Sequence, residues 1–343
     1  NPPYQVVVAQ KETANGQKAV VNVFHYFQML SDQLQPCYSS LIYPAVRWIH
    51  RSGKGLIEFG LKQINDPHLA RLHFYPQSNE VFREVGIADG LSVVFKDREK
   101  QEAGFDYLYT KNGMTISTHA DAPGEKMLVL DPEAAAIGEN VQRVTEERFA
   151  ILHDAVLPRS LFSIESNFVE NHPDKVRPYR KGEDLAADEI KLLTNDKAGK
   201  AGRARWYVAK EEVVTTGKEH LRRWKVVVSS ANAGGQKRSN QLEVLDDRCA
   251  FGRSRVALKT FATEREARNF FAYCQTNFIR YTFLLTDESL SSLAKMVPDL
   301  LDYSDDNGVI DYAGDVNAQL YDLFGIDSSM QRLIARTLDG NQS

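Results

Sequence analysis

The sequence predicts an α/β protein in two parts: an α/β segment over residues 1–150 and an α+β segment over residues 158–343. Three observations predict it. Strand-like and helix-like patterns alternate between residues 20 and 96, as in a parallel sheet whose crossovers are helices. With 343 residues, 43% hydrophobic and 26% charged, the chain is long enough for two cores. Charge is unevenly spread, with a net −6 over residues 1–174, +9 over 175–260 and −7 over 261–343.

Taken in order, the chain opens on Asn1-Pro2-Pro3-Tyr4. Two consecutive prolines fix φ near −65° and donate no backbone N–H, so the opening is a stiff, non-helical corner with free carbonyls. Val6 to Lys18, ending in the turn-forming Asn15-Gly16, is read as a loop over a substrate site. Val20, Val23, Phe24, Phe27, Leu30 and Leu34 recur at helical spacing and Pro36 stops them, which predicts an amphipathic helix packed on a sheet. Tyr38 to Tyr43 reads as a buried strand ending at Pro44, Leu56 to Ile64 as a helix, and Leu69 to Tyr75 and Gly90 to Lys96 as two more strands. Asp131 to Val156 reads as a linker helix closed by Leu157-Pro158. Beyond it, Ile190–Leu193, Ala204–Ala209 and Trp224–Ser229 are short strands joined by Gly/Lys/Arg loops, and Glu264–Leu285 is one helix whose aromatic face is core.

Several classes are excluded or disfavoured. No apolar run approaches the roughly 20 residues of a membrane span, and no secretory leader pattern is read, so the expected location is the cytoplasm. Cys37, Cys249 and Cys274 are too few and too far apart for a disulfide framework, and the histidines are scattered, so no metal site is expected. The basic block from 175 to 260 is the electrostatic footprint of a polyanion partner.

The opening corner carries the most specific chemistry. An Asn amide oxygen and a proline carbonyl can accept both N–H bonds of an exocyclic amino group, while a Tyr ring stacks on the base face. Drawing both N–H groups away frees the nitrogen lone pair for an electrophile without a general base. Asn1-Pro2-Pro3-Tyr4 resembles the catalytic motif of adenine-N6 DNA methyltransferases, and with Gln5 it resembles restriction-modification methylases of the fused type IIG group. The resemblance continues through Pro44-Ala45-Val46-Arg47-Trp48, Ser52-Gly53-Lys54-Gly55-Leu56, Ser78-Asn79-Glu80-Val81-Phe82 and Gly90-Leu91-Ser92-Val93-Val94-Phe95, with Ala45-Val46 and Asp89 departing from the family pattern. It implies that residues 1–150 are the rear half of a Rossmann-like class I methyltransferase sheet. Asn1 and Pro2 would orient the target amino group, Pro3 completes the catalytic motif, Tyr4 would stack on the flipped base, and Phe95 is a second candidate stacking ring.

The resemblance also implies S-adenosylmethionine as methyl donor in the intact protein. No F-x-G-x-G turn occurs in the sequence; Leu323-Phe324-Gly325-Ile326-Asp327 reads as a helix cap. The chain is therefore read as a C-terminal portion of a longer protein, with the cofactor motif and a possible nuclease domain elsewhere in that polypeptide.

Residues 158–343 resemble the target-recognition domain of the same group at Ser160-Leu161-Phe162-Ser163, Arg222-Arg223-Trp224-Lys225-Val226, Phe278-Ile279-Arg280-Tyr281 and Leu320 to Ile326. The partner so implied is double-stranded DNA, and the candidate contacts are Arg203, Arg205, Arg222, Arg223, Lys225, Lys237 and Arg238. Two other readings stand beside this one. The first is a DNA-binding specificity module with an idle corner. The second is a metal-dependent nuclease built on Pro173-Asp174 and Glu189-Ile190-Lys191, a frame that also reads as an ordinary edge strand.

Overall fold

Directly behind the Pro-Pro corner the chain forms a hairpin where a loop was expected. In the computed structural model, which describes residues 1–12, 18–53, 55–199, 201–230, 242–286 and 290–340, β1 (Gln5–Glu12) runs antiparallel to β2 (Lys18–Asn22). The predicted Asn15-Gly16 turn lies outside the described residues. Helix α1 (Phe24–Leu34) follows, beginning four residues later than its apolar spacing suggests because Val20 belongs to β2. It stops where Gln35 enters the left-handed region ahead of Pro36.

The chain divides into two units, Asn1–Gly138 and Glu139–Ser343. The first is built on β3 (Tyr38–Pro44), β4 (Leu69–Tyr75), β5 (Leu91–Asp97), β6 (Phe105–Lys111) and β7 (Met114–Ala120), in the order β3-β5-β4-β6-β7. The sheet is mixed where a parallel one was expected. β5 is antiparallel to both neighbours, β4 and β6 are parallel, and β7 returns as a hairpin. Short α2 (Val46–Ile49) and α3 (Leu56–Ile64) pack with α1 around Phe24, Tyr43, Trp48, Leu56, Phe59, Leu72, Phe74 and Val94. The α2–α3 crossing is so close that a Cβ on Gly60 would stand 1.9 Å from the Trp48 carbonyl oxygen.

β3 is an edge strand, with Tyr38 60% exposed, so its expected full burial is corrected. The apolar stripe of α1 faces the core only at its start, at Phe24. Phe24, His25 and Gln28 face inward, while Phe27, Leu30 and Leu34 are exposed.

The expected linker helix is shorter than predicted, α4 (Ala135–Arg148), and the division between the units falls within it. The second unit holds β8 (Ala150–Ile151), α5 (Phe168–Asn171), β9 (Val176–Pro178), β10 (Glu189–Asn195), β11 (Ala204–Lys210), β12 (Trp224–Ser229), β13 (Leu242–Leu245), β14 (Cys249–Phe251) and β15 (Arg255–Phe261). These form sheets ordered β14-β10-β11-β9 and β13-β12-β15. β10 is thus interior in its sheet, not an edge.

The predicted long helix is two, α6 (Glu264–Gln275) and α7 (Asn277–Leu284), because Thr276 is extended and its side chain caps the second. Phe270, Tyr273, Phe278 and Tyr281 are core, as their spacing implied. β16 (Pro298–Asp299) pairs with β8, and α8 (Val316–Leu323) and α9 (Ser328–Gly340) complete the unit. Gly325 caps α8 at φ +63°, with the Ile326 N–H returning to Tyr321 O. No helix among the described residues is long and apolar enough to cross a membrane.

Candidate active site and nucleic-acid interface

The strands of the first unit place one end of the sheet in register. Pro44, which ends β3, and Tyr75, which ends β4, both pair with Leu91 at the start of β5. Carboxyl ends of parallel strands are where open α/β sheets bind ligands. The Pro-Pro corner lies here, with Asn1 and Pro3 exposed, Pro2 buried and Tyr4 half-buried against the core. The Val23 N–H donates to Tyr4 O at 2.9 Å, which fastens the corner to the start of α1.

A cavity of about 280 Å³ opens at this point, lined by Tyr4, Phe24, Pro44, Arg47 and the Gly86–Asp89 segment, with Gln5 and Asn22 at its side. Gln5 donates to Asn22 Oδ1 at 3.2 Å. Burial raises the Tyr4 phenol above its usual range, and no hydrogen-bond partner meets its hydroxyl among the described residues. Within this unit Tyr4 therefore presents a neutral aromatic ring to the cavity, three residues on from the exposed Asn1.

Phe95 is not brought to the corner. It lies four residues along β5 from Leu91, roughly 13 Å at 3.3 Å per residue, and stacks on Tyr38 with centroids 6.1 Å apart. Sequence reasoning passed over Phe24, Arg47 and Asp89 as site residues, although it flagged the Pro44-to-Trp48 landmark and Asp89 as a departure. The register of β3 with β5 is what unites them.

The proposed DNA-contacting residues of the second unit separate into three groups. Arg203 and Arg205 stand where β10 turns into β11, and Arg205 pairs with Asp196 at 2.9 Å. Arg222 and Arg223 precede β12 at the opposite end of the strands, Arg222 paired with Glu211 and Arg223 bonded to Thr260. Lys225 is a correction: it is 0% exposed, with its ammonium donating to the carbonyls of Leu221, Arg223 and Asp246, so it cannot touch DNA. Strand β12 is buried, and the turn carbonyls around it face inward to meet the ammonium. Burial pushes Lys225 down to about 8. Lys237 and Arg238 lie outside the described residues, as does Lys54 of the Gly53-to-Gly55 turn.

The nuclease frame does not assemble. Glu189 pairs with Arg177 at 3.4 Å, Lys191 pairs with Asp246, and Asp174 is exposed. Among the described residues no group of three His, Cys, Asp or Glu could hold a metal ion.

The opening of this chain is thus a Pro-Pro corner fastened near the end of β3, with an aromatic ring walling a cavity beside it. Residues 1–82 match the model of the Eco57I restriction-modification methylase family. Over 94% of its length the chain superposes on the type IIG restriction endonuclease BpuSI, covering 49% of that chain, at 11% identity and a TM-score of 0.34. It thus spans about half the length of that structure, and the score is too low to define a shared fold. No curated protein matches the chain.

Proposed function

We propose that this chain carries the base-binding corner and the DNA-reading part of an adenine-N6 DNA methyltransferase of a restriction-modification system. The observation that supports this most is the placement of Asn1-Pro2-Pro3-Tyr4. Tyr4 of the motif lines a cavity that Pro44, at the end of β3, also lines, and the motif lies inside the stretch that matches a restriction-modification methylase family. Asn1 and the Pro2 carbonyl accept the two N–H bonds of the adenine amino group, and Tyr4 stacks on the extruded base.

Transfer needs S-adenosylmethionine, which supplies an electrophilic methyl group. The described residues do not fit a nucleoside cradle for it. Among the left-handed glycines of the first unit, Gly53 and Gly55 stand between two helices, Gly90 and Gly104 precede strands and Gly113 joins two strands, so none of these five opens a helix directly behind a strand.

The reading is tested in the native protein with 2-aminopurine at the target position and tritiated methyl donor. Tyr4→Ala should weaken capture of the base by about 1 to 3 kcal/mol, and Tyr4→Phe should do little. Asn1→Ala should leave DNA affinity intact and collapse methylation, since it acts on the amino group in the transition state. Undiminished adenine methylation by Asn1→Ala would leave a DNA-binding module with an idle corner as the better account.

A further inference from the structure

Among the described residues that line the Tyr4 cavity, Arg47 is the one cation and Asp89 the one anion. Their side chains form an ion pair, Nε to Oδ2 at 3.0 Å, and no other hydrogen bond or ion pair holds the Arg47 guanidinium among the described residues. The mount beneath it is rigid. Ala45 N and Val46 N donate to Gly90 O and Asp89 O, the Trp48 indole is anchored to Ser92, and Gly60 lets α3 press against the Trp48 carbonyl. The opposite wall is braced as well, because Ser78 Oγ donates to Val85 O and accepts from the Ile87 N–H, each at 2.7 Å. A stiff base with a half-exposed tip at a cavity mouth is the construction of a substrate contact.

Resting on the reading above, we propose that Arg47 is a positioning residue that grips a phosphate flanking the extruded nucleotide, with Asp89 setting the plane of its guanidinium. A base turned out of the stack brings its own phosphates to the rim of its pocket. The planar fork of arginine matches two phosphate oxygens while a carboxylate holds another edge. Because Asp89 tempers the positive charge, the contact forms when the base occupies the cavity and adds little to binding of duplex at large.

The test uses the native protein, a duplex that it methylates and an unrelated duplex of equal length, with wild type, Arg47→Ala, Arg47→Lys and Asp89→Asn. For the methylated duplex, Arg47→Ala should lower the slope of log affinity against log salt by about 0.9, one phosphate contact. It should raise KM for DNA about tenfold, as loss of one charged hydrogen bond does, with a smaller change in kcat. The slope for the unrelated duplex should not move, and Arg47→Lys should restore most of the salt slope while Asp89→Asn raises KM alone. An unchanged slope and KM in a folded Arg47→Ala overturns the proposal. So does a loss of thermal stability shared by Arg47→Ala and Asp89→Asn without any change of slope, which would make the pair a structural clasp. A wild type that does not methylate adenine at all sinks the functional reading, and this proposal with it.

Discussion

The indole Nε1–H of Trp48 donates to Ser92 Oγ at 3.1 Å, both residues being fully buried, and Ser92 in turn donates to Tyr43 O at 3.0 Å. This short chain of bonds ties α2 to β5 and β3 at the end of the sheet where the Tyr4 cavity opens. A buried donor deprived of its acceptor bears its full desolvation cost, about 1 to 3 kcal/mol. Ser92→Ala should therefore lower stability by that amount, read as a fall in the urea midpoint at unchanged slope.

Lys96 makes a second buried link, donating to Asp32 at 2.9 Å and Asp66 at 2.7 Å with only 8% of its side chain exposed. Burial alone would raise the Asp66 carboxyl, but the bonds from Lys96 and the His68 N–H leave it below the ordinary range. Its contribution is present above the ordinary aspartate range and is lost as pH falls through the lower folded value. Lys96→Met strands two carboxylates and should cost about 3 to 5 kcal/mol at pH 7. In urea titrations the deficit should shrink as pH falls from 7 to 4, because the stranded carboxylates then protonate.

The buried Lys225 predicts the opposite end of the pH scale. Its folded value of about 8 lies below the ordinary 10.5, so between those values the unfolded chain holds a proton that the folded chain has released. The contribution of this position is complete above about 10.5 and is lost as pH falls to about 8. Relative to Lys225→Met, wild-type stability should rise by about 1.4 kcal/mol per pH unit across that window. Parallel pH dependences for the two proteins would refute the buried ammonium.

Thiol chemistry should discriminate sharply among three cysteines. Cys37 is exposed, whereas Cys249 and Cys274 are buried. Burial, with Asp246 beside it, pushes the Cys249 thiol up to about 12, and burial likewise raises the Cys274 thiol well above its ordinary range. Native protein at pH 8 should titrate one thiol with a disulfide reagent, and unfolded protein three.

The sequence showed the corner, the helix α3 and the strands β3, β4, β5, β10, β11 and β12 because proline geometry and apolar periodicity are local. What escaped it was set by distant partners. On α1 the inward positions include Gln28 and the half-buried Asp32, which serve Tyr43 and Lys96, so the polar residues face the sheet and Phe27, Leu30 and Leu34 face out. An amphipathic reading inverts such a helix. Lys225 sits beside two arginines and read as surface, because nothing local reports that the Asp246 carbonyl, from beyond β13, joins those of Leu221 and Arg223 on its ammonium. Arg47 and Asp89 meet only through the pairing of β3 with β5, a register that spacing along the chain does not reveal.

The contact at Gly60 has a consequence for how mutations in this region will be scored. Any side chain there must push the Trp48 carbonyl, whose residue follows Arg47 on the short α2. In a saturation library selected for activity, position 60 should tolerate almost nothing and rank beside residues of the cavity, although its own surroundings are helix backbone. A fitness map would then mark as functional a site that touches no substrate, and only a parallel selection for abundance would separate the mount from the grip.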